Sequence, residues 1–210
     1  MIASRLPTIL PALGIDQALE VTAVHSIAGS LGTRSPMSLV APIVSPHHSA
    51  SRVAMVGGGS HAIKPGACSL AHHGVLFIDE APECAVGVLD SLRQPLESGT
   101  ITIARSVGSI TFPAQFLLVL AANPCPCGKF TGKGRACICS SLAVRRYLGK
   151  LSGPLMDRID MRVQVEPVSR TEMAQTELGE SSADIRARVV AARATAEKRF
   201  AEESWSLNSQ

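Results

Sequence analysis

Val75-Leu76-Phe77-Ile78-Asp79-Glu80 is the stretch whose reading decides the fold. Four apolar residues stand in a row between Gly74 and Pro82, without the alternation of a half-exposed strand. That length and its β-branched or aromatic content suit a strand buried on both faces, as in a parallel sheet. Two carboxylates follow at its carboxyl end. In open α/β sheets ligands sit at that end, and a carboxylate there holds a divalent metal on a phosphate or orients a water. Asp79 and Glu80 equally fit the start of a helix, where acidic groups favour the dipole. The hexapeptide leaves both readings open.

Downstream, Val88, Leu89, Leu92 and Leu96 recur at helical spacing, which predicts a helix over Val86 to Leu96 closed by Glu97-Ser98-Gly99. Thr100 to Ile103 and Gly108 to Thr111 alternate across Ala104-Arg105-Ser106-Val107, the pattern of a β-hairpin that ends at Pro113. Arg105 lies near its tip, where a solvated charge and a contact to a partner or substrate are both open. A second buried strand is expected over Phe116 to Ala122, ending on Asn123-Pro124 and repeating the design of the first. Asn-Pro is also an ordinary turn pair. Two adjacent parallel strands would put Asn123 beside Asp79 and Glu80, making a phosphate and water site.

Upstream, the composition from Pro46 to Gly74 turns to histidine and glycine. Gly57 to Gly59 invites a phosphate, but no Gly-Lys-Ser/Thr follows, and a flexible loop or insertion is the expectation. Five histidines fall here without the i, i+4 spacing of a helical metal site, so structural or surface roles are expected. Gly32 to Pro46 reads as loop. Gln17 to Leu31 predicts a helix with Leu19, Val24 and Ile27 inward. Met1 to Leu13 predicts the body of another, with Ile2, Leu6, Ile9, Leu10 and Leu13 on one face despite Pro7 and Pro11.

With 46% apolar and 18% charged residues, the 210-residue chain has the composition of a globular protein with one good core. A net charge of +3 does not argue for nucleic acid, although basic residues gather between Lys129 and Lys150. No apolar run approaches a membrane span and no signal peptide opens the chain, so a cytoplasmic protein is expected. Cysteines there are thiols or metal ligands rather than disulfides. Cys125, Cys127, Cys137 and Cys139 form two C-x-C pairs around a glycine-containing loop, a set able to hold zinc tetrahedrally. Reduced, unliganded thiols are the alternative. Lys129, Lys133 and Arg135 either tune that site, touch nucleic acid or are simply solvated. Cys68 and Cys84, with no partner in sequence, are expected in the core.

The order of these signals, with Ser152-Gly153-Pro154-Leu155-Met156-Asp157-Arg158-Ile159-Asp160 after them, resembles the AAA+ ATPases of the magnesium-chelatase group, most closely the ComM (YifB) family. The matching stretches are PHHSAS, VGGG, SLAHHGVLFIDE, LRQPLESG, AANPCPCG and LSGPLMDRIDM, with a weaker continuation through GESSADIRARVVAAR. The resemblance implies an α/β AAA+ P-loop NTPase core, a parallel sheet flanked by helices, with a β-hairpin insertion and the start of a helical lid. The core would span residues 1–166 and the partial lid 167–210. Asp79 then looks like the Walker B aspartate that supports Mg²⁺ on ATP, and Glu80 like the carboxylate that polarises the attacking water. Asn123 resembles sensor 1. Arg158 stands where the arginine finger reaches a neighbouring subunit's nucleotide, which implies a homo-oligomeric ring, usually a hexamer. The His- and Gly-rich stretch corresponds to the helix 2 insertion and Thr100 to Thr111 to the pre-sensor 1 hairpin, pore-facing elements where Arg105 or His47 would meet DNA.

The sequence also departs from the family. The phosphate-binding Gly-Lys-Ser/Thr loop that family members place just before the segment resembling Met1 to Pro7 does not occur in these 210 residues. Ala67 replaces the glutamate of a Pro-Gly-Glu turn. Ser182 to Glu203 reads as one amphipathic helix capped by Ser181-x-x-Asp184, with Ile185, Val189, Ala192 and Ala196 on a face, and the chain stops before the sensor 2 arginine would come. The expectation is a fragment of a ComM-like motor that couples ATP hydrolysis to DNA remodelling, inactive alone. The ATPase subunit of a magnesium chelatase is a rival reading, and a non-catalytic module docking on a full-length ring is another.

Overall fold

The computed structural model describes residues 3–31, 37–59, 62–105, 108–130, 136–166, 168 and 179–201. Its centre is β4, Val75–Ile78, hydrogen-bonded in parallel to β1, Ile43–Val44, on one edge and to β7, Leu117–Leu120, on the other. The register pairs Ile43 with Val75, and Val75 with Leu117 through to Ile78 with Leu120. Side chains alternate across a strand. Leu76 and Ile78 accordingly enter a core with Met55, Leu89, Leu92 and Leu155, while Val75 and Phe77 face Leu10, Leu13, Ala18 and Val21. A strand covered on both sides has no polar face to show, which is why it reads as an unbroken apolar run. Gly74 lets β4 start close to β1: a Cβ there would stand 2.0 Å from the Pro42 carbonyl oxygen.

The amino-terminal elements differ from the expectation. Ala3–Arg5 is a 3₁₀ turn and α1 covers only Leu6–Ile9, while Met1 and Ile2 lie outside the described residues. Pro11 forces Leu10 into extended backbone (ψ 148°), which ends the helix, yet Leu10 and Leu13 still reach the core. The following helix, α2, runs Ile15–Ala28 and stops at Gly29 in the left-handed region. It buries Ala18, Val21 and Val24, whereas Leu19 and Ile27 are 54% and 55% exposed, a correction to two of the three residues expected inward. The helix is apolar on several sides, so periodicity alone does not choose its face. Polar anchors help to choose it: His25 Nε2 lies 3.0 Å from the Leu70 carbonyl, and Glu20 meets two histidines at the start of β4.

Two stretches read as loop carry structure. Ile43–Val44, within the Gly32 to Pro46 segment, is β1. Ser51 caps α3, Arg52–Val56, by accepting the Ala54 amide at 3.2 Å, and Gly57–Gly58 form β2, antiparallel to β3, Lys64–Pro65. The glycines are buried and make a tight ribbon rather than a flexible loop: a Cβ on Gly57 (φ 103°) would lie 2.7 Å from the Lys64 carbonyl. Short helix α4, Ala67–Leu70, leads back to β4.

After β4 the expected single helix is two, α5 at Val86–Asp90 and α6 at Arg93–Ser98. Pro95 has no amide for the Ser91 carbonyl, which breaks the ladder there. Val88, Leu89 and Leu92 are buried as the spacing required. The hairpin is present as β5, Thr100–Arg105, against β6, Gly108–Pro113, with Ile101 and Phe112 paired and buried at its base. Its residues 106 and 107 lie outside the described ones. Helix α7, Ser141–Leu148, is capped by Ser140; α8, Gly153–Met156, starts with Pro154 in its first turn; α9, Ser182–Phe200, is capped by Ser181 accepting the Asp184 amide. Ile185, Val189 and Ala196 of α9 are half-buried and Ala192 is exposed. No helix among the described residues is long and apolar enough to cross a membrane.

At the amino end of β4, His72 and His73 both bring Nε2 to Glu20 Oε2, at 2.9 and 2.8 Å. The three groups converge closely enough for a metal. The other nitrogen of His72 argues otherwise: Nδ1 accepts the Gln115 amide at 3.1 Å, so Nε2 carries the proton and donates to the carboxylate. The cluster is a hydrogen-bonded clasp joining α2, the start of β4 and the approach to β7. Burial, opposed by the Glu20 bond, holds the His72 pKa below its ordinary 6.5. The His72 bond, and the His73 bond after it, hold Glu20 below 4.5.

These features give two expected outcomes. Leu76→Ala leaves a cavity under both sheet neighbours and is expected to cost about 2–5 kcal/mol in urea unfolding. For His72, the folded chain binds fewer protons than the unfolded one just below pH 6.5, so its contribution is complete above that pH and is lost as pH falls through the depressed folded value. Glu20 adds the same sign below about pH 4.5. His72→Gln, which keeps an acceptor and a donor, should flatten the stability slope below pH 6.5; an unaltered slope would refute the assignment.

Candidate functional site

The site grows from the carboxyl end of the sheet. β4 ends at Ile78 and β7 at Leu120, and the pairing continues beyond them: the Ala121 amide donates to the Ile78 carbonyl and the Ala81 amide to the Ala121 carbonyl, both at 2.9 Å. That ladder carries Asn123 to the same end as Asp79 and Glu80, and all three are exposed there. Asp79 Oδ1 accepts the Glu80 amide at 2.9 Å, and Glu80 adopts left-handed backbone (φ 50°, ψ 42°). A 3₁₀ turn, Ala81–Glu83, comes next, and α5 begins only at Val86, so the two carboxylates are not the first turn of an α-helix. A non-glycine residue in that region carries a steric cost, and such positions cluster at functional sites.

Two neighbours of this end were not foreseen. His48, beyond β1, places Nδ1 3.1 Å from Glu80 Oε2. The PHHSAS stretch drew notice in sequence, but its partner lies across the sheet and β1 is only two residues long. Tyr147 of α7 is buried, its phenol pushed up by burial first and then by the charges of Glu83 and Glu80. Arg158, just past α8, pairs with Glu97 of α6 and donates to the Pro154 carbonyl of its own chain. Among the described residues its guanidinium meets these groups and pairs with neither Asp79 nor Glu80.

Immediately after Asn123-Pro124 the four expected cysteines come together. Sγ of Cys125 lies 3.3 Å from Cys127 and 3.6 Å from Cys137, and Cys127 lies 3.7 Å from Cys137. The Cys139 sulfur completes the group, with all ligand atoms within 4.8 Å of one another. A disulfide needs about 2.05 Å, so these are free thiols. Tetrahedral zinc with bonds of about 2.3 Å sets its sulfurs about 3.8 Å apart, close to the spacing here. Amides already point at the sulfurs: Cys139 N–H lies 3.4 Å from Cys137 Sγ, and those of Ile138 and Lys129 bring the Cys127 thiol down to about 6. Although the Cys139 amide lowers it, the Cys137 thiol is pushed up to about 12 by burial and by the Cys125 and Cys127 sulfurs, and Cys139 is raised as well, so without a metal the group shares its protons unequally. Residues 131–135, which include Lys133 and Arg135, lie outside the described residues. Cys68 and Cys84 are buried, and burial pushes the Cys68 thiol up to about 12, which makes both core residues as expected.

Residues 1–173 match the model of the family described as "Magnesium chelatase, subunit ChlI". An uncharacterised protein of Mycobacterium tuberculosis is 48% identical over 210 residues, all of this chain and 41% of the relative. Escherichia coli YifB is 44% identical over 194 residues, 92% of this chain and 38% of the relative. Competence protein ComM of Haemophilus influenzae is 42% identical over 212 residues, 100% of this chain and 41% of the relative. The chain thus spans about two fifths of the length of these curated relatives. With its parallel sheet, flanking helices and carboxylates at the strand end, the chain belongs to the magnesium-chelatase family and carries an AAA+ core.

Proposed function

We propose that this chain is part of an AAA+ ATPase of the ComM type, coupling ATP hydrolysis to remodelling of DNA in a homo-oligomeric ring in the cytoplasm. One observation carries the reading: Asp79, Glu80 and Asn123 leave adjacent parallel strands at their carboxyl ends. Residues 1–166 act as the core and 167–210 as the beginning of its lid.

The donors suit Mg-ATP. Mg²⁺ takes hard oxygen ligands and keeps several waters, so an exposed carboxylate such as Asp79 supplies the protein's share. When bound, Mg-ATP supplies the phosphoryl group and neutralises its charge. Asp79 would supply a carboxylate to the metal, and its Oδ1 accepts the Glu80 amide, which fixes the turn between the two carboxylates. Glu80 takes up a proton from the attacking water, and Asn123 offers its side-chain amide to that water or to the phosphate oxygen. Arg158 acts on the neighbouring subunit's nucleotide once it leaves Glu97. The hairpin β5–β6 carries Arg105 towards DNA.

The cysteines act as a zinc centre that closes the segment between Asn123 and α7. Cys125 and Cys127 follow the end of β7, and Cys139 directly precedes the Ser140 cap. Cys125, Cys127, Cys137 and Cys139 would hold the metal, and with it the segment that follows Asn123. This centre favours a ComM-like motor over the ATPase subunit of a magnesium chelatase, because C-x-C pairs beside sensor 1 belong to the ComM-like pattern that AANPCPCG matches.

The 210-residue chain alone is expected to bind ATP weakly, since phosphate affinity rests on a glycine loop absent from this stretch. A form extended upstream with a Gly-x-x-x-x-Gly-Lys-Ser loop is expected to hydrolyse ATP, faster with DNA present, and Glu80→Gln should lower turnover about 100-fold or more. Micromolar ATP binding by the short chain, or turnover indifferent to Glu80→Gln, would sink this account. Metal analysis is expected to return about one zinc per chain, lost in Cys137→Ser; a few hundredths of a zinc in the unsubstituted protein would remove the centre.

A further inference from the structure

Phe130 is out of place for an aromatic residue of this chain. Aromatics make up only 3% of the sequence, and Phe77, Phe112 and Phe116 belong to the packed interior, yet Phe130 is 48% exposed. Ile138 and Leu142 stand open as well, at 89% and 65%. The cysteines bring these residues together. Cys127 Sγ lies 3.7 Å from Cys137 Sγ, so Lys129-Phe130, just after the first pair, and Ile138, inside the second, leave one sulfur group. Ser140 then caps α7, which carries Leu142 in its first turn and Arg145 and Arg146 one turn later on the same side.

The charge around these side chains has one sign. From Lys129 to Lys150 there are six cations and no Asp or Glu. Lys150 is engaged, 3.7 Å from Glu83 and over the Tyr147 ring, and Lys133 and Arg135 lie outside the described residues. Lys129, Arg145 and Arg146 are exposed and make no ion pair among the described residues. The end of α7 favours its two arginines electrostatically but leaves their guanidinium donors unfilled. We propose that the cysteine loop and α7 form a contact surface for single-stranded DNA, separate from the hairpin; this rests on the reading above that the chain acts on DNA. Lys129, Arg145 and Arg146 take the phosphates. Phe130 and Ile138 take the faces of unpaired bases, which stack on an aromatic ring whatever the sequence. A duplex keeps those faces inside its own stack and meets only the cations. An acidic peptide likewise engages the charges but offers no base to Phe130.

The test is fluorescence anisotropy of a labelled oligothymidine with the 210-residue chain, without ATP. Phe130→Ala is expected to weaken binding about 5-fold or more and to leave the salt dependence in place. Phe130→Tyr, which keeps the ring, should restore the affinity. Arg145→Ala combined with Arg146→Ala should make the slope of log K against log salt shallower by about 1.4. Far-UV circular dichroism matching that of the unsubstituted chain identifies the folded variants. Absence of binding, affinity indifferent to these changes, a duplex bound more tightly than the single strand, or polyglutamate competing as well as the oligonucleotide overturns the surface. Binding abolished by Arg105→Ala and untouched by Phe130→Ala also overturns it, while leaving the hairpin as the DNA contact of the reading above. Turnover indifferent to Glu80→Gln in the loop-extended form overturns the ATPase reading instead, and the anisotropy still judges the surface.

Discussion

Everything in this molecule hangs on β4 being paired on both edges and packed on both faces. Val75, Leu76 and Ile78 are fully buried, and burying an aliphatic side chain of that size contributes about 1.5–3 kcal/mol. The two faces belong to two separate clusters, one built on α1 and α2 and one on α3, α5 and α8. Side chains change face at every residue, so a slip of one position would exchange the contents of the clusters and pull Asp79 into one of them. An unpaired buried carboxylate is prohibitively costly. The apolar run thus fixes the level at which the carboxylates emerge, and β7, in register with it, fixes the level of Asn123.

Legibility in sequence follows from the range of the forces involved. The strand β4, the position of β7 and the inward residues of α5 were readable because one local pattern decides each, and Ser181 announced α9 by its capping geometry; the burial expected of β7 is not met, because it stands at the sheet's edge with Leu117 46% exposed. The face of α2 was not readable, because Ile15, Leu19 and Ile27 are as apolar as Val21 and Val24, and the choice rests partly on Glu20 meeting His72 and His73 from 52 and 53 residues away. β1 and β2 were missed for a related reason. Each is two residues long, and Gly57–Gly58 depends on glycine: a Cβ on Gly57 would strike the Lys64 carbonyl and Ile103, and Gly58 sits at φ 151° with Val53 3.0 Å from where its Cβ would be. Of the site, the strand-end polar residues and the four cysteines were visible; His48 and Tyr147 were not, since both arrive from other elements.

The cysteine loop shows what replaces packing where apolar residues run out. Ile138 is 89% exposed and Phe130 is half-exposed, so among the described residues between Asn123 and α7 only Cys125 is buried. Such a loop gains its fixed shape from sulfur contacts and from amides aimed at sulfur. It meets α7 through a serine cap.

Each end of β4 carries a carboxylate held by histidine, and the difference between them is burial. At the amino end His72 is 2% exposed, its two nitrogens engaged by an amide and by Glu20, and losing either bond strands a buried polar group at about 1–3 kcal/mol. That clasp is built to stay. At the carboxyl end His48 and Glu80 are both partly solvated, and an exposed pair contributes about 1 kcal/mol at most. One strand thus joins a permanent anchor to a weak one.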